Sequence, residues 1–294
     1  MATTTGTNHD TPDQQQFIAM ALGLGCYMPN EKKLTSDLSK TIVFITGTFI
    51  SNNCWDEWIA YFEKKGYKCI APAWPHKDAS AEDLRNRPKD DPIASNTLTS
   101  LTHHFVSIIN GLPQKPILVG HSLGGLIVQL LLQEEVGIAG VTIHSFPPQG
   151  VNRSWLSFLK AVWETMELFS SNKKTYLMSF SKWRYTIANG MEYEQQKELY
   201  YKYAIPESKK IIREAFKCVV KIDFKKSQAP LLFTSGGNDK LIPSSLNYSN
   251  YKKYTPANSV TEYMEFKTHN HLVFGVPSWK EEANAILHWL RGLK

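Results

Sequence analysis

The residue best suited to act as a nucleophile lies in a glycine-flanked serine motif. Gly120, Ser122 and Gly124 form the pattern G-x-S-x-G, which follows the apolar run 116–120 and opens the amphipathic stretch 123–135. In this setting the serine sits on a sharp turn between strand and helix, where small flanking residues let its hydroxyl protrude above the sheet edge. We predict that Ser122 attacks an acyl carbon, and its alternative role is to cap a structural helix.

The acid that such a serine needs is predicted downstream of it. A serine hydroxyl is a weak nucleophile unless a base takes its proton and an acid orients that base. Asp239 follows the apolar run 230–235, so we expect it in a loop at the carboxyl edge of a parallel sheet, beside Ser122. No carboxylate follows the other suitable run, 140–144. We predict Asp239 as the acid, with loop capping as its alternative role.

Two histidines follow the last strand-like run and compete for the role of base. His269 and His271 both come after residues 260–266, which gives the chain order serine, aspartate, histidine. His271 stands directly before the apolar residues 272–275, which would anchor its ring, whereas His269 lies nearer the solvated end of the strand. We therefore favour His271 and keep His269 as the alternative.

Ester cleavage also requires backbone N–H groups that point at the developing oxyanion. Leu123, directly after the nucleophile, is predicted to supply one donor, and the loop 46–49 the second. Within that loop Thr48 is the preferred donor and Phe49 the alternative. We also predict that Phe49 and His121 contact the substrate, and that the site needs no metal and no cofactor.

Short β-branched runs alternate with amphipathic stretches from Lys40 onward. Such alternation is typical of βαβ units, in which helices cover both faces of a mostly parallel sheet. The strand-like runs are 41–46, 67–71, 116–120, 140–144, 230–235 and 260–266, and the helical stretches are 55–65, 97–109, 123–135 and 279–293. We therefore predict an α/β fold whose sheet presents the candidate residues at one edge.

The alternation is interrupted once, by a segment of different composition. Residues 151–226 hold 14 aromatic residues, and 15 Lys or Arg against 8 Asp or Glu, with no convincing strand. We predict a helical cap inserted into a core formed by 17–150 and 227–294, with an independent helical domain as the alternative. The polar residues 1–16 are predicted to form a disordered tail.

Composition argues against several other classes of protein. The net charge is +6, but the basic residues match no nucleic-acid-binding signature, so we predict a small-molecule partner and no nucleic acid. The apolar stretch 17–28 is shorter than the ~20 residues that span a bilayer, and no basic region precedes it. We therefore predict a cytoplasmic protein with no membrane partner. The four cysteines form no CxxC pair, and the oligomeric state is left open, with a monomer compatible.

On these motifs, residues 40–294 resemble the α/β-hydrolase superfamily. Its members carry nucleophile, acid and base in the order of Ser122, Asp239 and His271. The resemblance implies an α/β-hydrolase fold and a serine esterase that cleaves carboxylic esters. Many members have His-Gly in the oxyanion loop, where this chain has Thr46-Gly47. Acyltransferases, perhydrolases, lyases and ligand-binding receptors on the same fold are the alternatives.

The chain is also similar to serine-dependent macrolide esterases, which open macrocyclic lactone antibiotics. The aromatic segment 151–226 beside a Ser-Asp-His core is compatible with a bulky, mostly apolar substrate. This second resemblance implies a macrolide lactone as substrate and a role in antibiotic resistance. The excess of positive charge in the same segment argues against it, because many such drugs carry a protonated amine.

Overall fold

The computed structural model describes residues 39–89, 92–151, 173–217, 219–226, 228–255 and 259–293. The predicted tail 1–16 and the predicted first part of the core, 17–38, lie outside these residues. Among the described residues, no helix combines the length and the apolar character needed to cross a lipid bilayer.

In the described part of the chain, six parallel strands form a sheet at the centre of the fold. The strands are β1 (Thr41–Ile45), β2 (Lys68–Ile70), β3 (Ile117–His121), β4 (Ala139–Ile143), β5 (Leu231–Gly236) and β6 (Thr261–Phe266). Their order across the sheet is β2-β1-β3-β4-β5-β6, and every neighbouring pair is parallel. All six lie where the sequence predicts strand-like runs.

The apolar composition of the central strands matches their position. Every residue of β3, β4 and β5 is buried, as expected for parallel strands covered on both faces. The register places Val119 between Phe44 and Val141. The predicted α/β-hydrolase fold with a mostly parallel sheet is therefore confirmed.

Helices flank the sheet and connect its strands. In the described part of the chain they are α1 (Asp56–Glu63), α2 (Ala81–Asn86), α3 (Leu98–Asn110), α4 (Leu123–Gln133), α5 (Phe180–Thr186), α6 (Tyr193–Tyr203), α7 (Lys209–Phe216), α8 (Ser244–Tyr251) and α9 (Trp279–Gly292). A capping box starts α3, because the Ser100 N–H donates to the Thr97 hydroxyl and the Thr97 N–H to the Ser100 hydroxyl. Helix α4 packs against β3 and β4, which fixes the direction of the turn before it.

The segment between β4 and β5 contains α5, α6 and α7, together with a short antiparallel ribbon. In the ribbon Thr175–Tyr176 pairs with Glu207–Ser208, so the expectation that this segment holds no strand was wrong. Each of these strands is only two residues long, which is too short to show the alternating pattern by which a strand is recognised in a sequence. The predicted cap, 151–226, includes residues 152–172, which lie outside the described residues, so its bounds stay a prediction.

A buried aromatic cluster anchors the loop between β6 and α9. Phe274 packs edge-on against Trp55, with ring centroids 4.7 Å apart, and Trp279 packs on Trp58 at 5.6 Å. The Trp58 indole N–H donates to the carbonyl of Val273, 3.3 Å away. Fully burying an aromatic side chain stabilises the fold by roughly 1.5–3 kcal/mol, so the second half of this loop is held in place.

Candidate active site

Ser122 occupies a strained turn between β3 and α4. Its backbone has φ 56° and ψ −119°, a conformation that costs a non-glycine residue on the order of 1–3 kcal/mol. Three backbone hydrogen bonds hold it. The Ser122 N–H donates to the carbonyl of Ile143 at 2.9 Å, and the Ser122 carbonyl accepts from the N–H groups of Gly125 at 3.0 Å and Phe146 at 2.9 Å.

The glycines of the motif are required by close packing. A Cβ atom at Gly120 would lie 2.2 Å from the Gly124 carbonyl oxygen, and one at Gly124 would lie 2.1 Å from the Ile45 oxygen. A Cβ at Gly47 would lie 2.8 Å from the Cβ of Ser122. The loop 46–49, called here the oxyanion loop, therefore passes directly beside the candidate nucleophile.

The structure brings His271 and Asp239 together at the same sheet edge. Their Nδ1 and Oδ2 atoms are 2.7 Å apart, and both side chains are buried. The other carboxylate oxygen of Asp239 accepts from the N–H groups of Leu241 at 2.8 Å and Ile242 at 2.7 Å. Burial by itself would raise the pKa of Asp239, but His271 and then His144 lower it below its ordinary range. Asp239 is therefore an anion, held in position to orient the imidazole.

His269 has a different environment from the one that the sequence suggested. Its ring is buried and stacks on Phe266 at 4.9 Å, so the expectation that it lies at a solvated strand end was wrong. The strand ends at Phe266 and the chain folds back, so that His269 Nδ1 lies 3.3 Å from Glu282 Oε2 and Nε2 lies 3.4 Å from Glu281 Oε2. His269 thus pairs with α9, whereas His271 pairs with Asp239.

The geometry of the oxyanion loop favours Thr48 over Phe49 as the second backbone donor. The Phe49 N–H points to the carboxylate of Glu207, at 3.4 Å, whereas Thr48 lines the same cavity as Ser122 and Leu123. Leu123 is the first residue of α4, so its N–H has no partner within the helix. Of the predicted donors, Thr48 and Leu123 are the pair beside the nucleophile.

Phe49 and His121, predicted to contact the substrate, are both buried away from that cavity. Phe49 has φ 65° and packs edge-on against Tyr176, with ring centroids 6.0 Å apart. His121 Nε2 lies 2.8 Å from the carbonyl oxygen of His271. Burial, and then the nearby His271 and His144, lower the pKa of His121 well below its ordinary value. His121 is therefore a neutral packing residue behind Ser122, and neither residue is among the described residues that line the cavity.

The cavity beside Ser122 is small and apolar. Its volume is about 20 Å³, little more than the space of one water molecule. Its described lining consists of Thr48, Ser122, Leu123, Phe146, Ile212, Ala215, Phe216 and Leu241. Three of these residues come from α7, in the segment between β4 and β5. Sequence reasoning did not assign them, although the apolar spacing of Ile212, Ala215 and Phe216 marks the buried face of a helix.

Sequence reasoning also missed His144 and Glu282, which extend the site behind Asp239. His144 follows β4 at φ 48°, and its Nδ1 lies 3.3 Å from Asp239 Oδ2. Its Nε2 lies 3.8 Å from Glu282 Oε1, and all three side chains are fully buried. The burial of Glu282 could have been predicted from the sequence, because it stands three residues after Trp279 and four before Ile286, on the apolar face of α9.

Two groups of described side chains place possible metal ligands within 4.8 Å of one another. One group is His144, Asp239 and His271, and the other is His144, His269 and Glu282. In both groups each carboxylate already faces imidazole rings, at 2.7 to 3.8 Å. Ion pairing accounts for this arrangement, so the expectation that the site uses no metal and no cofactor stays a prediction.

The wider assignment comes from comparison with protein families. Residues 42–277 match the Alpha/beta hydrolase family, and this range includes Ser122, Asp239 and His271. The chain belongs to the alpha/beta hydrolase family. No curated protein matches it in sequence.

Several solved alpha/beta hydrolases are similar in fold. An extracellular enzyme from a Paenibacillus species, with structural and functional homology to tobacco salicylic acid binding protein 2, is 20% identical with a TM-score of 0.65, over 84% of this chain and 98% of that one. A monoacylglycerol lipase from Paleococcus ferrophilus is 19% identical with a TM-score of 0.61, over 86% and 95%. An Arabidopsis methylesterase is 16% identical with a TM-score of 0.61, over 86% and 99%. At these identities the likeness shows the fold alone.

Proposed function

We propose that this alpha/beta hydrolase cleaves a carboxylic ester through an acyl-enzyme on Ser122. One observation carries the proposal: His271 Nδ1 lies 2.7 Å from the buried carboxylate of Asp239, at the sheet edge that presents Ser122 on its strained turn. An imidazole oriented by a buried carboxylate is the base that a serine nucleophile requires.

The first half of the reaction forms the acyl-enzyme. Ser122 Oγ attacks the ester carbonyl and transfers its proton to His271 Nε2, the ring nitrogen that does not face Asp239. Asp239 keeps the proton on Nδ1 and stabilises the imidazolium that forms. The N–H groups of Leu123 and Thr48 donate to the oxyanion. His271 then returns the proton to the leaving alcohol, and the ester bond breaks.

The second half releases the acid. A water molecule gives its proton to His271 and attacks the acyl carbon, the same two N–H groups stabilise the oxyanion, and Ser122 leaves with the proton that His271 returns. Every step uses protein groups and water alone. Asp239 stays ionised throughout, because its Oδ1 accepts two backbone hydrogen bonds and its Oδ2 faces two imidazole rings.

The cavity favours an ester with a small apolar group as substrate. Its small volume of about 20 Å³ and the apolar side chains of Phe146, Ile212 and Phe216 favour a small apolar group beside Ser122 over a bulky one. The methylesterase and the monoacylglycerol lipase of similar fold are named for ester substrates, which supports an ester as the substrate. Neither the cavity nor the comparisons support a macrolide lactone.

The proposal is tested with a fluorophosphonate, which modifies an activated serine, and with a panel of short-chain esters. We expect Ser122 alone to be labelled, as shown by mass spectrometry of the modified peptide, and each cleaved ester to gain one water. Ser122→Ala is the negative control. His103→Gln, which changes an exposed histidine in α3, is the matched control and should keep wild-type labelling.

Each other outcome points to one of the alternatives. Labelling of Ser122 without any ester hydrolysis would favour an acyltransferase, a perhydrolase or a lyase, in which water is not the nucleophile that takes the acyl group. The absence of labelling in folded protein would contradict the proposal and favour a ligand-binding protein on the same fold.

A further inference from the structure

A row of buried titratable side chains extends from the candidate active site toward α9. Asp239 Oδ2 lies 2.7 Å from His271 Nδ1 and 3.3 Å from His144 Nδ1. On the far side of His144, its Nε2 lies 3.8 Å from Glu282 Oε1, and Glu282 Oε2 lies 3.3 Å from His269 Nδ1. Imidazoles and carboxylates therefore alternate along the row. The proposed reaction uses only the first pair.

His144 is the histidine of this row that faces two buried carboxylates. The other titratable groups around it are His269, which has a ring nitrogen within 4.8 Å of one of His144, His271, with ring centroids 6.1 Å apart, and His121, at 6.3 Å. Burial by itself would lower the pKa of His144, but Glu282 and Asp239 together outweigh it, so the pKa is raised. His121, which has no such pair of anions, has its pKa lowered.

Asp239 and Glu282 both have a lowered pKa, as expected for two carboxylates that share a cation. Burial opposes the ionisation of both carboxyl groups, yet the pKa of each is lowered. His144 acts on both, and it is the largest lowering influence on Glu282. Two fully buried anions are costly unless a cation compensates them. His144 lies between them and can supply that charge.

We propose that His144 is a positioning residue that carries a positive charge in the resting protein, fixes Asp239 as an anion, and disfavours protonation of His271. The last part of this inference rests on the proposed function, in which His271 is the base. Because a charge at about 6 Å acts strongly in the protein interior, the cation at His144 opposes a second positive charge on the ring of His271.

The charge on His144 can be measured without a substrate, by nitrogen-15 NMR of the histidine rings in the full-length protein. His144→Gln identifies its signals. We expect both ring nitrogens of His144 to be protonated at pH 7, and Glu282→Gln to move the loss of the proton to lower pH. A His144 ring that is neutral at pH 7 overturns the proposal, whether or not Ser122 is a nucleophile.

The effect on the active site is measured as the pH dependence of fluorophosphonate labelling of Ser122. The rate falls at low pH when the base becomes protonated. We expect His144→Gln to move the midpoint of this fall upward by on the order of one pH unit. Damage to the fold alone would lower the rate at every pH and leave the midpoint where it is.

Glu281→Gln is the matched control, because it removes the same charge from the neighbouring position of α9. Glu281 is exposed and contacts His269 rather than His144, so this variant should keep the wild-type midpoint. An unchanged midpoint in folded His144→Gln overturns the proposal.

If His144→Gln does not fold, Glu282→Gln takes its place and should shift the midpoint upward by a smaller amount. Wild-type protein without labelling would contradict the proposed function alone, because the NMR result still decides the charge of His144.

Discussion

Ser122 shows how the site stores strain in one residue. Its positive φ is held by backbone hydrogen bonds to Ile143, Gly125 and Phe146, and by the absence of side chains at the two motif glycines. No side chain caps α4 at this position, so the hydroxyl is not needed to start the helix. The turn places Ser122 at the cavity, where its hydroxyl makes no capping hydrogen bond to α4.

Ser122→Ala should abolish ester turnover and leave stability nearly unchanged. Alanine has the same steric cost at φ 56° as serine, whereas the acyl-enzyme cannot form without the hydroxyl. Turnover of a cleaved ester and thermal unfolding by circular dichroism measure the two effects. Activity above a few per cent of wild type would remove Ser122 from the role of nucleophile.

Asp239→Asn should lower kcat/KM by up to about 10⁴-fold. The amide cannot keep the His271 ring in the correct tautomer, and it lacks the charge that stabilises the imidazolium. Steady-state kinetics on the best ester measures the loss. If the loss is below about tenfold, the acid must lie elsewhere, and Glu282 is the next carboxylate in the same buried row.

The two histidines of the β6–α9 loop should respond differently to truncation. His271→Ala should eliminate activity, because its Nδ1 faces Asp239 at 2.7 Å and its Nε2 is left to take the proton of Ser122. His269→Ala should keep most of the activity per folded molecule and lose stability, because it leaves buried Glu282 with one partner fewer. Labelling rates normalised to folded protein separate the two effects. An inactive His269→Ala with an active His271→Ala would reverse the assignment of the base.

At the scale of elements, the residues after α6 clamp the oxyanion loop. The Ile205 N–H donates to the Phe49 carbonyl at 3.0 Å. The carboxylate of Glu207 accepts from the Phe49 N–H at 3.4 Å and pairs with the ammonium of Lys77 at 2.6 Å. Lys77 and Glu207 are both buried. The segment between β4 and β5 thus fixes the backbone that carries Thr48.

Glu207→Ala should lower the free energy of unfolding by about 3–5 kcal/mol, because it leaves the buried Lys77 charge without a partner. It should also lower kcat more than it raises KM, because the oxyanion donor would be less well positioned. Urea denaturation and kinetics measure the two effects, and Glu198→Ala, an exposed position on α6, is the control. In the double variant Lys77→Met, Glu207→Met most of the stability should return. Equal losses in the single and double variants would show that the charge pair is not the cause.

At the scale of the whole molecule, the parallel sheet assembles the site from distant parts of the chain. Ser122, His144, Asp239 and His271 each follow a different strand, and those strands, β3, β4, β5 and β6, are neighbours in the sheet. Their carboxyl ends meet at one edge because all the pairs are parallel. The sheet supplies the reacting groups and the segment before β5 supplies α7, which forms one wall of the cavity. Under the proposed function, the chemistry resides at the sheet edge and the substrate preference in the segment between β4 and β5.

Phe216→Ala should shift substrate preference toward longer acyl groups. Phe216 lines the cavity and packs edge-on against Phe146 at 5.7 Å, so removal of its ring lengthens the space beside Ser122. We expect kcat/KM for a hexanoyl ester, relative to an acetyl ester, to rise about tenfold. Phe224→Ala, which removes a ring packed on Tyr254 away from the cavity, should leave the preference unchanged. The same chain-length preference in both variants would show that α7 does not limit the substrate.

Much of the fold and part of the candidate site are determined by the sequence itself. The strand-like runs predict all six strands of the described sheet. The signal is clearest for β3, β4 and β5, because buried parallel strands need short apolar runs and these are encoded locally. Gly120 is also required by local contacts, because a Cβ there would clash with Gly124 in the adjoining helix, whereas a Cβ at Gly124 would clash with Ile45 at the end of β1. The order of Ser122, Asp239 and His271 follows from which loops leave the carboxyl ends of strands.

Only the tertiary structure decides how the side chains pair. The choice between His269 and His271 depends on how the chain folds back after Phe266, which the composition of the loop does not encode. The choice between Thr48 and Phe49 as donor depends on Glu207, which lies 158 residues beyond Phe49. His144 and Glu282 meet Asp239 only because β4, β5 and α9 pack together. Such contacts act over a few ångströms between residues far apart in sequence, so no local pattern of residues carries them.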